Sequence, residues 1–218
     1  MQAMISTSCR ATEYIKKALI DCHGETVYKK LQKAKVAVCG LGGLGSNVAI
    51  SLVRAGVGEL HLIDFDVVDI TNLNRQQYFV NQIGLYKTEA LADTLQKISP
   101  YCKLNTHSLK IDEENIIEIL REDDIVVEAF DEAGEKAMLV NGVLENFPDK
   151  PIISGSGMAG LESVNLIKTK KIGKRLYICG DEKSDVETLG SLFSPRVMAC
   201  ASHEAMMAIR LIIGETSP

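Results

Sequence analysis

The stretch that decides the fold is KVAVCGLGGLGSNVAISLVRAG, residues 35–56. Residues 35–40 predict a short apolar strand, and residues 44–55 have the spacing of a helix that ends at Gly56. Between them Gly40, Gly42 and Gly45 follow the pattern G-x-G-x-x-G. In such loops the three glycines allow a tight turn, close approach of a phosphate, and close packing of helix on strand. We therefore predict a nucleotide site at the start of this helix; a turn kept only for packing is the alternative.

Strands and helices alternate outward from this stretch and predict one domain over residues 1–218. Residues 10–33 are expected to form a helical lead within an N-terminal segment, 1–33. Further strands are predicted at 59–64, 103–109, 124–131 and 151–157, and further helices at 87–99, 114–120 and 132–147. This rhythm is typical of a Rossmann-like α/β fold, a mostly parallel sheet with helices on both faces. Strands at 163–169 and 174–180 are expected to be antiparallel at the C-terminal edge, followed by a polar loop (181–195) and a last helix (195–214).

Composition excludes several classes of protein. The chain has 218 residues, with 24 basic and 29 acidic side chains and a net charge of -5, so it lacks the basic excess of a nucleic-acid binder. No apolar run approaches the roughly 18 residues of a membrane span, and the first eight residues lack the basic region of a secretory signal. None of the six cysteines forms a C-x-x-C pair. We expect a cytoplasmic protein without zinc and without a nucleic-acid or membrane partner.

The nature of the nucleotide is indicated by polar residues that follow the second strand. Asp64 ends this strand at the offset where a carboxylate accepts hydrogen bonds from ribose hydroxyls; capping of the next turn is the alternative. Arg75 and Lys87 offer positive charge to phosphates, and Asn72 and Gln76 offer amide donors. A solvated surface position is the alternative for Arg75 and Lys87. The combination favours ATP over a dinucleotide.

Four segments together resemble a known family: GLGGLGS (40–46), LIDFDVVDITNLNRQ (62–76), YKTEAL (86–91) and VVEAFD (126–131). They are similar to the ThiF/MoeB/HesA family of ubiquitin-activating-enzyme-like adenylyltransferases, and most like a short bacterial ThiF-type protein of thiamine biosynthesis. The resemblance covers about residues 35–160 and implies an ATP-dependent enzyme. Such an enzyme adenylates the C-terminal carboxylate of a small ubiquitin-like sulfur-carrier protein and releases pyrophosphate.

The resemblance also implies roles for individual residues. Asp64 would bind the ribose, and the phosphates would be held by Asn72, Arg75, Gln76 and Lys87. Asp131 would bind Mg²⁺; its alternative is to cap the helix that starts at residue 132. Arg75, Lys87 and Asp131 are then the catalytic group, and we expect none of them in the hydrophobic core. The carrier's Gly-Gly tail would pass over residues 155–160, a segment that could also be an ordinary loop.

The chain departs from the family in its cysteines and at its N-terminus. It lacks the two zinc-binding C-x-x-C pairs and the R-Y-x-R-Q segment of many relatives; Arg10 is its only early arginine. Some relatives use a loop cysteine covalently, and Cys179 is the nearest candidate, although a structural thiol is the better interpretation. Cys200 is expected in the core.

The remaining expectations concern assembly and competing functions. The apolar last helix and the family predict a homodimer, while Met198, Met206 and Met207 on that helix are expected to lie in the core. The four histidines show no triad or metal-binding spacing. The alternatives are an NAD-dependent oxidoreductase, a non-catalytic nucleotide-binding partner, or a family member that activates a tRNA or small-molecule carboxylate.

Overall fold

A computed structural model describes the backbone of residues 2–218 and the side chains of residues 12–218. This part of the chain forms eight helices and seven strands. The helices are α1 (Gln2–His23), α2 (Glu25–Lys33), α3 (Gly43–Ala55), α4 (Lys87–Ile98), α5 (Ile116–Leu120), α6 (Ala133–Asn146), α7 (Val186–Leu189) and α8 (Ser194–Ile213). The strands are β1 (Lys35–Cys39), β2 (Glu59–Ile63), β3 (Lys103–His107), β4 (Ile125–Glu128), β5 (Ile152–Gly155), β6 (Lys168–Ile172) and β7 (Leu176–Gly180).

The seven strands form one sheet in the order β3-β2-β1-β4-β5-β7-β6. All neighbours are parallel except β6 and β7, which are antiparallel at the edge. The chain moves outward from β1 through β2 to β3 and then returns to place β4 on the other side of β1. This reversal leaves a crevice at the carboxyl ends of β1 and β4, where open α/β sheets bind ligands. The predicted fold class is confirmed.

Helices cover both faces of the sheet, which explains why its central strands are apolar throughout. Val36 and Val38 of β1 pack against the face covered by α3, α4 and α8. Ala37 and Cys39, which point the other way, pack against α5 and α6. All four side chains are fully buried, so the sheet core holds the carboxyl ends of the strands in fixed positions.

The structure differs from the sequence prediction mainly at the two ends of the chain. The helical lead starts at Gln2 and is divided by Gly24, whose φ of 82° breaks the helix. Residues 164–166 form a short 3-10 turn, capped by the Ser163 side chain, so the strand predicted at 163–169 begins only at Lys168. The predicted polar loop contains α7. Pro195 lies in the first turn of α8, as predicted. No helix in residues 2–218 has the length and hydropathy of a membrane span.

Candidate functional site

A cavity of about 490 Å³ lies at the carboxyl ends of β1, β2, β4 and β5. One wall consists of the glycine loop with residues 63–66, which follow β2. The floor is formed by residues 129–131 after β4, and the opposite wall by residues 155–159 and 182–186. The crevice expected from the strand order is therefore present as a cavity that is partly enclosed by these walls and otherwise open to solvent.

The three motif glycines differ in the contacts that a side chain would make at their positions. Gly40 has a φ of 89°, and a Cβ there would lie 2.7 Å from the carbonyl oxygen of Ala129. A Cβ on Gly45 would lie 1.8 Å from the carbonyl oxygen of Gly40, so this glycine lets α3 pack on β1, and it does not line the cavity. A Cβ on Gly42 would meet only Nε2 of Gln76, at 3.7 Å. No contact within the protein therefore requires a glycine at position 42. In addition, no side chain caps the α3 N-terminus that faces the cavity.

Asp64 ties the glycine loop to the residues that follow β2. Its Oδ2 accepts a hydrogen bond of 2.6 Å from the Leu41 N–H, and its Oδ1 accepts one of 2.8 Å from the Asp66 N–H. Burial of this carboxyl raises its pKa, and the ammonium of Lys87, 4.0 Å away, opposes that effect. The turn-capping alternative is thus observed, and the ribose-binding role stays a prediction that the position of Asp64 in the cavity wall permits.

Lys87 is the first residue of α4 and is only 6% exposed, so it is not a solvated surface residue. Its Nζ donates to Oδ2 of Asp66 over 2.6 Å while the side chain still lines the cavity. Lys87 belongs to neither hydrophobic cluster that packs on the sheet, so it is a buried residue of the cavity wall and not of the hydrophobic core. The ammonium is held in place by the strand-end carboxylates Asp64 and Asp66.

Arg75 and Gln76 present polar atoms that the described part of the chain leaves unsatisfied. Nη1 of Arg75 donates to the Thr71 carbonyl oxygen and to Oδ1 of Asn74. Nε of Arg75 and Oε1 of Gln76 are buried and have no hydrogen-bond partner. Both side chains line the cavity. The Nε–H of Arg75 is a donor and fits an anionic ligand, whereas Oε1 of Gln76 is an acceptor and fits a hydroxyl or amine group of a ligand.

Asn72 is not brought together with these residues. Its Oδ1 accepts a hydrogen bond of 3.0 Å from the Asp69 N–H, in the capping box of the 3-10 turn formed by residues 70–72. It does not line the cavity. The structure therefore gives Asn72 a local structural role and leaves its proposed phosphate contact without support.

Asp131 lies in the floor of the cavity, three residues beyond β4. The residue at the N-cap of α6 is Glu132, and no side chain makes a capping hydrogen bond there, so Asp131 does not cap this helix. No cluster of three or more His, Cys, Asp or Glu side chains in the described residues has the arrangement of a metal site. A single carboxylate nevertheless fits Mg²⁺, which proteins commonly bind through one or two carboxylates together with substrate phosphates.

Three further cations line the cavity that the sequence analysis did not identify: Lys110, Lys136 and Lys183. Lys110 pairs with Glu135, and Lys136 donates over 2.6 Å to Oε2 of the fully buried Glu128. Lys110 and Lys183 each follow a strand by three residues, and Lys136 lies in the first turn of α6. The sequence feature that could have identified them is a basic residue in the segment that follows a strand, since these segments meet at the carboxyl edge of the sheet.

None of the five cysteines whose side chains the structure describes lines the cavity. Cys179 is fully buried, and burial, reinforced by Glu204, raises the pKa of its thiol to about 12. Because the nucleophile is the thiolate, a thiol in this state is unreactive, which supports the structural interpretation. Cys200 is also fully buried, as expected, and its Sγ lies 3.2 Å from the Cys179 carbonyl oxygen.

Three other expectations have mixed outcomes. Met207 is buried, but Met198 and Met206 are 46% and 56% exposed, so placing all three in the core was wrong. His61 bonds to Asp123 and to His107, an arrangement that linear spacing could not show because it arises from the neighbouring strands β2 and β3. The side chain of Arg10 lies outside the described residues.

Comparison with known proteins agrees with this geometry. The model of the ThiF family matches residues 14–218. The chain is 33% identical over 191 residues to an adenylyltransferase and sulfurtransferase MOCS3 from Culex quinquefasciatus, covering 85% of this chain and 43% of that protein. It is 30% identical over 192 residues to an adenylyltransferase and sulfurtransferase UBA4 from Lodderomyces elongisporus, covering 85% and 42%. The chain thus spans less than half the length of these curated relatives.

A solved structure extends the likeness over nearly the whole chain. The Escherichia coli tRNA N6-threonylcarbamoyladenosine dehydratase TcdA, in complex with AMP, superposes with a TM-score of 0.81 at 22% identity, covering 90% of this chain and 93% of that one. At this identity the superposition establishes the fold alone. With the match of the family model over residues 14–218, it follows that the chain belongs to the ThiF family.

Proposed function

We propose that the protein is an ATP-dependent adenylyltransferase. Its substrate would be the C-terminal carboxylate of a small ubiquitin-like sulfur-carrier protein of the ThiS type that ends in Gly-Gly. The product would be an acyl-adenylate, with release of pyrophosphate, in thiamine biosynthesis or a related sulfur-transfer route in the cytoplasm. Family membership supports the reaction type; the carrier and the route rest on the sequence resemblance.

One observation carries the proposal: a single cavity brings the glycine loop together with Arg75, Gln76, Lys87 and Asp131. The loop and the uncapped α3 N-terminus are suited to an anion. Arg75, whose buried Nε has no hydrogen-bond partner among the described residues, lines the same cavity, and Lys87 adds a fixed positive charge. A nicotinamide dinucleotide does not need this group of cations, whereas a triphosphate does.

The proposed reaction needs no general base, because a carboxylate is already ionised and nucleophilic at neutral pH. The protein has to align this carboxylate with the α-phosphate of ATP and to stabilise the charge that develops on the leaving pyrophosphate. Arg75 and Lys87 would act on the phosphates, Gln76 would donate to them, and Asp64 would hold the ribose. Mg²⁺, when held by Asp131, would supply further neutralisation of the phosphate oxygens.

We also propose that the protein is a homodimer. The exposed side chains of Met198 and Met206 lie eight residues apart on α8 and so share one face of that helix. Apolar side chains on an exposed helix face support an interface between subunits. Light scattering at micromolar concentration is expected to give twice the mass of one chain, and an active monomer would contradict the dimer.

The function is tested by pyrophosphate exchange into ATP. We expect exchange that depends on Mg²⁺ and on a small carrier protein ending in Gly-Gly from the same genome. A carrier without the terminal Gly-Gly is the matched control and is expected to give none. The assay should be repeated with tRNA and with small carboxylic acids in place of the carrier.

Thermal stabilisation by added ligand distinguishes between ATP and NAD as the nucleotide that the protein binds. We expect ATP with Mg²⁺ to raise the melting temperature, since a ligand that binds only the folded state stabilises it. NAD is expected to have no such effect. Stabilisation by NAD alone would favour the oxidoreductase alternative, and stabilisation by ATP without exchange on any carboxylate would favour a non-catalytic nucleotide-binding partner.

A further inference from the structure

The wall opposite the glycine loop is held together by a buried ion pair. Arg196, only 3% exposed, donates from Nη2 to Oδ2 of Asp181 over 2.6 Å. The same guanidinium donates to the carbonyl oxygens of Met158 and Ser163. Arg196 lies in the first turn of α8, where the helix dipole disfavours a cation. Its position is therefore explained by the contacts that join the segment after β5 to the loop after β7.

Asp181 in turn fixes the loop that carries Lys183. Its Oδ1 accepts hydrogen bonds from the N–H groups of Lys183 and Ser184, at 2.9 and 2.8 Å. Gly157 packs so tightly against this turn that a Cβ on it would lie 2.2 Å from Oδ1 of Asp181. Glu182 is the only non-glycine residue with positive φ in the described chain, at 59°, and its carboxylate pairs with Lys170 of β6. The turn therefore gives its two neighbouring charged residues different surroundings. Glu182 forms an ion pair with Lys170 on β6, whereas Lys183 forms none with the described residues.

The cations of the cavity fall into two groups. Lys87, Lys110 and Lys136 each have a carboxylate partner. Arg75 and Lys183 have none among the described residues, and they lie on opposite walls. Arg75 lies beside the glycine loop, its Cγ 3.6 Å from the Cβ position of Gly43, on the side proposed for the triphosphate. Lys183 is exposed and lines the other wall, so its ammonium is accessible to a second reactant that binds on that side.

We infer that Lys183 binds the carboxylate of the acyl substrate and that the Asp181–Arg196 pair positions it. This inference rests on the proposed function. The two reactants are both anionic, so the carboxylate is repelled by the nucleotide as it approaches the α-phosphate. An ammonium beside the carboxylate offsets this repulsion and fixes its direction of approach. Carboxylate-terminated substrates are therefore the class that this wall selects.

The test compares Lys183→Gln and Lys183→Arg with the wild-type protein in carrier-dependent pyrophosphate exchange. We expect Lys183→Gln to raise KM for the carrier at least tenfold while kcat changes less than threefold, since ground-state binding is what is lost. Lys183→Arg keeps the charge and is expected to stay within threefold of wild type. ATP affinity should be unchanged in both variants. Lys174→Gln, on the exposed turn between β6 and β7 and outside the cavity, is the matched control and is expected to behave as wild type.

An amidated carrier, which has no terminal carboxylate, separates the possible contacts. It cannot be activated, but it competes with the carrier, and its inhibition constant is expected to be the same for wild type and Lys183→Gln. A weaker inhibition constant in the variant would place Lys183 against the body of the carrier, and a loss of ATP affinity would make it a nucleotide ligand; either result overturns the inference. An unchanged KM overturns it while leaving the proposed function intact. Wild-type protein without exchange refutes the proposed function, and the inference with it.

The positioning role of Asp181 has its own readout. Asp181→Asn is expected to raise KM for the carrier in the same way as Lys183→Gln. Combined, the two substitutions should cost less than the sum of their separate effects, because both act through one ammonium. Additive effects would separate Asp181 from Lys183 and overturn the positioning role.

Discussion

Two glycines of the nucleotide-binding loop offer a sharp test, because the structure requires them for different reasons. A methyl group on Gly45 would lie 1.8 Å from the carbonyl oxygen of Gly40 and 3.1 Å from Cγ1 of Val38. The first contact is with backbone, so it is relieved only when α3 moves away from β1. A methyl group on Gly42 meets no protein atom closer than 3.7 Å, and the space around it belongs to the cavity.

We expect Gly45→Ala to lower the free energy of unfolding by about 3 kcal/mol or more, at the upper end of overpacking effects. Gly42→Ala should lower it by less than about 1 kcal/mol. Urea denaturation measures both values. In titration calorimetry the folded Gly42→Ala variant should bind ATP at least roughly tenfold more weakly, because its methyl group occupies the space of a phosphate. Wild-type stability of Gly45→Ala would refute the packing argument. Unchanged ATP affinity of Gly42→Ala would refute the proposal that the glycine loop binds a phosphate.

Further predictions concern the charged residues and one cysteine. Asp131→Asn should slow carrier-dependent exchange by roughly a hundredfold and, since it caps no helix, leave urea denaturation unchanged; near-normal exchange would remove the metal assignment. Lys87→Gln should slow exchange and also cost about 1–2 kcal/mol of stability, because its partner Asp66 is partly solvated; a purely kinetic effect would contradict its structural role. Cys179→Ser should keep exchange, since adenylation uses no thiol; a folded variant without exchange would contradict this. Burial alone would raise the pKa of Asp181, but hydrogen bonds from Ser184, Lys183 and Arg196 lower it to about 2. Its contribution of about 2 kcal/mol is present above pH 4 and lost as the pH falls towards 2, so denaturation of Asp181→Asn should lack this part of the acid-induced loss.

The sheet was predictable because its central strands are buried on both faces. Residues 36–39 and 125–127 are continuous apolar runs, and such runs are typical of a parallel sheet covered by helices. The edge strand β6 was placed wrongly for the opposite reason. Its sequence KTKKI is mostly exposed, and lysines on an edge strand protect it from pairing with other chains, so apolar periodicity is lost.

The site was predictable where one strand end suffices to define it. Asp64 follows β2 directly and Asp131 lies three residues beyond β4, and the strand order brings both into one cavity. Lys183 was missed because its relation to that cavity depends on which strands are neighbours, and β7 lies beside β5 although the chain forms β6 between them. Lys136 was missed because it lies on α6, eight residues beyond β4. Asn72 lies outside the cavity for a local reason, since its Oδ1 accepts from the Asp69 N–H in the capping box and this holds the side chain beside its own turn.

The balance of charge around the cavity bears on how the nucleotide would enter. Five basic and six acidic side chains among the described residues line it, a formal charge of −1. A free triphosphate brings roughly four more negative charges, whose repulsion in a partly enclosed site costs several kcal/mol. Arg75 and Lys87 alone do not offset this, because Lys87 is already shared with Asp66. On our proposal Mg²⁺ supplies the missing charge, but Asp131 is only one ligand, too few to hold the ion without phosphate oxygens. The metal would therefore enter together with the nucleotide and not before it.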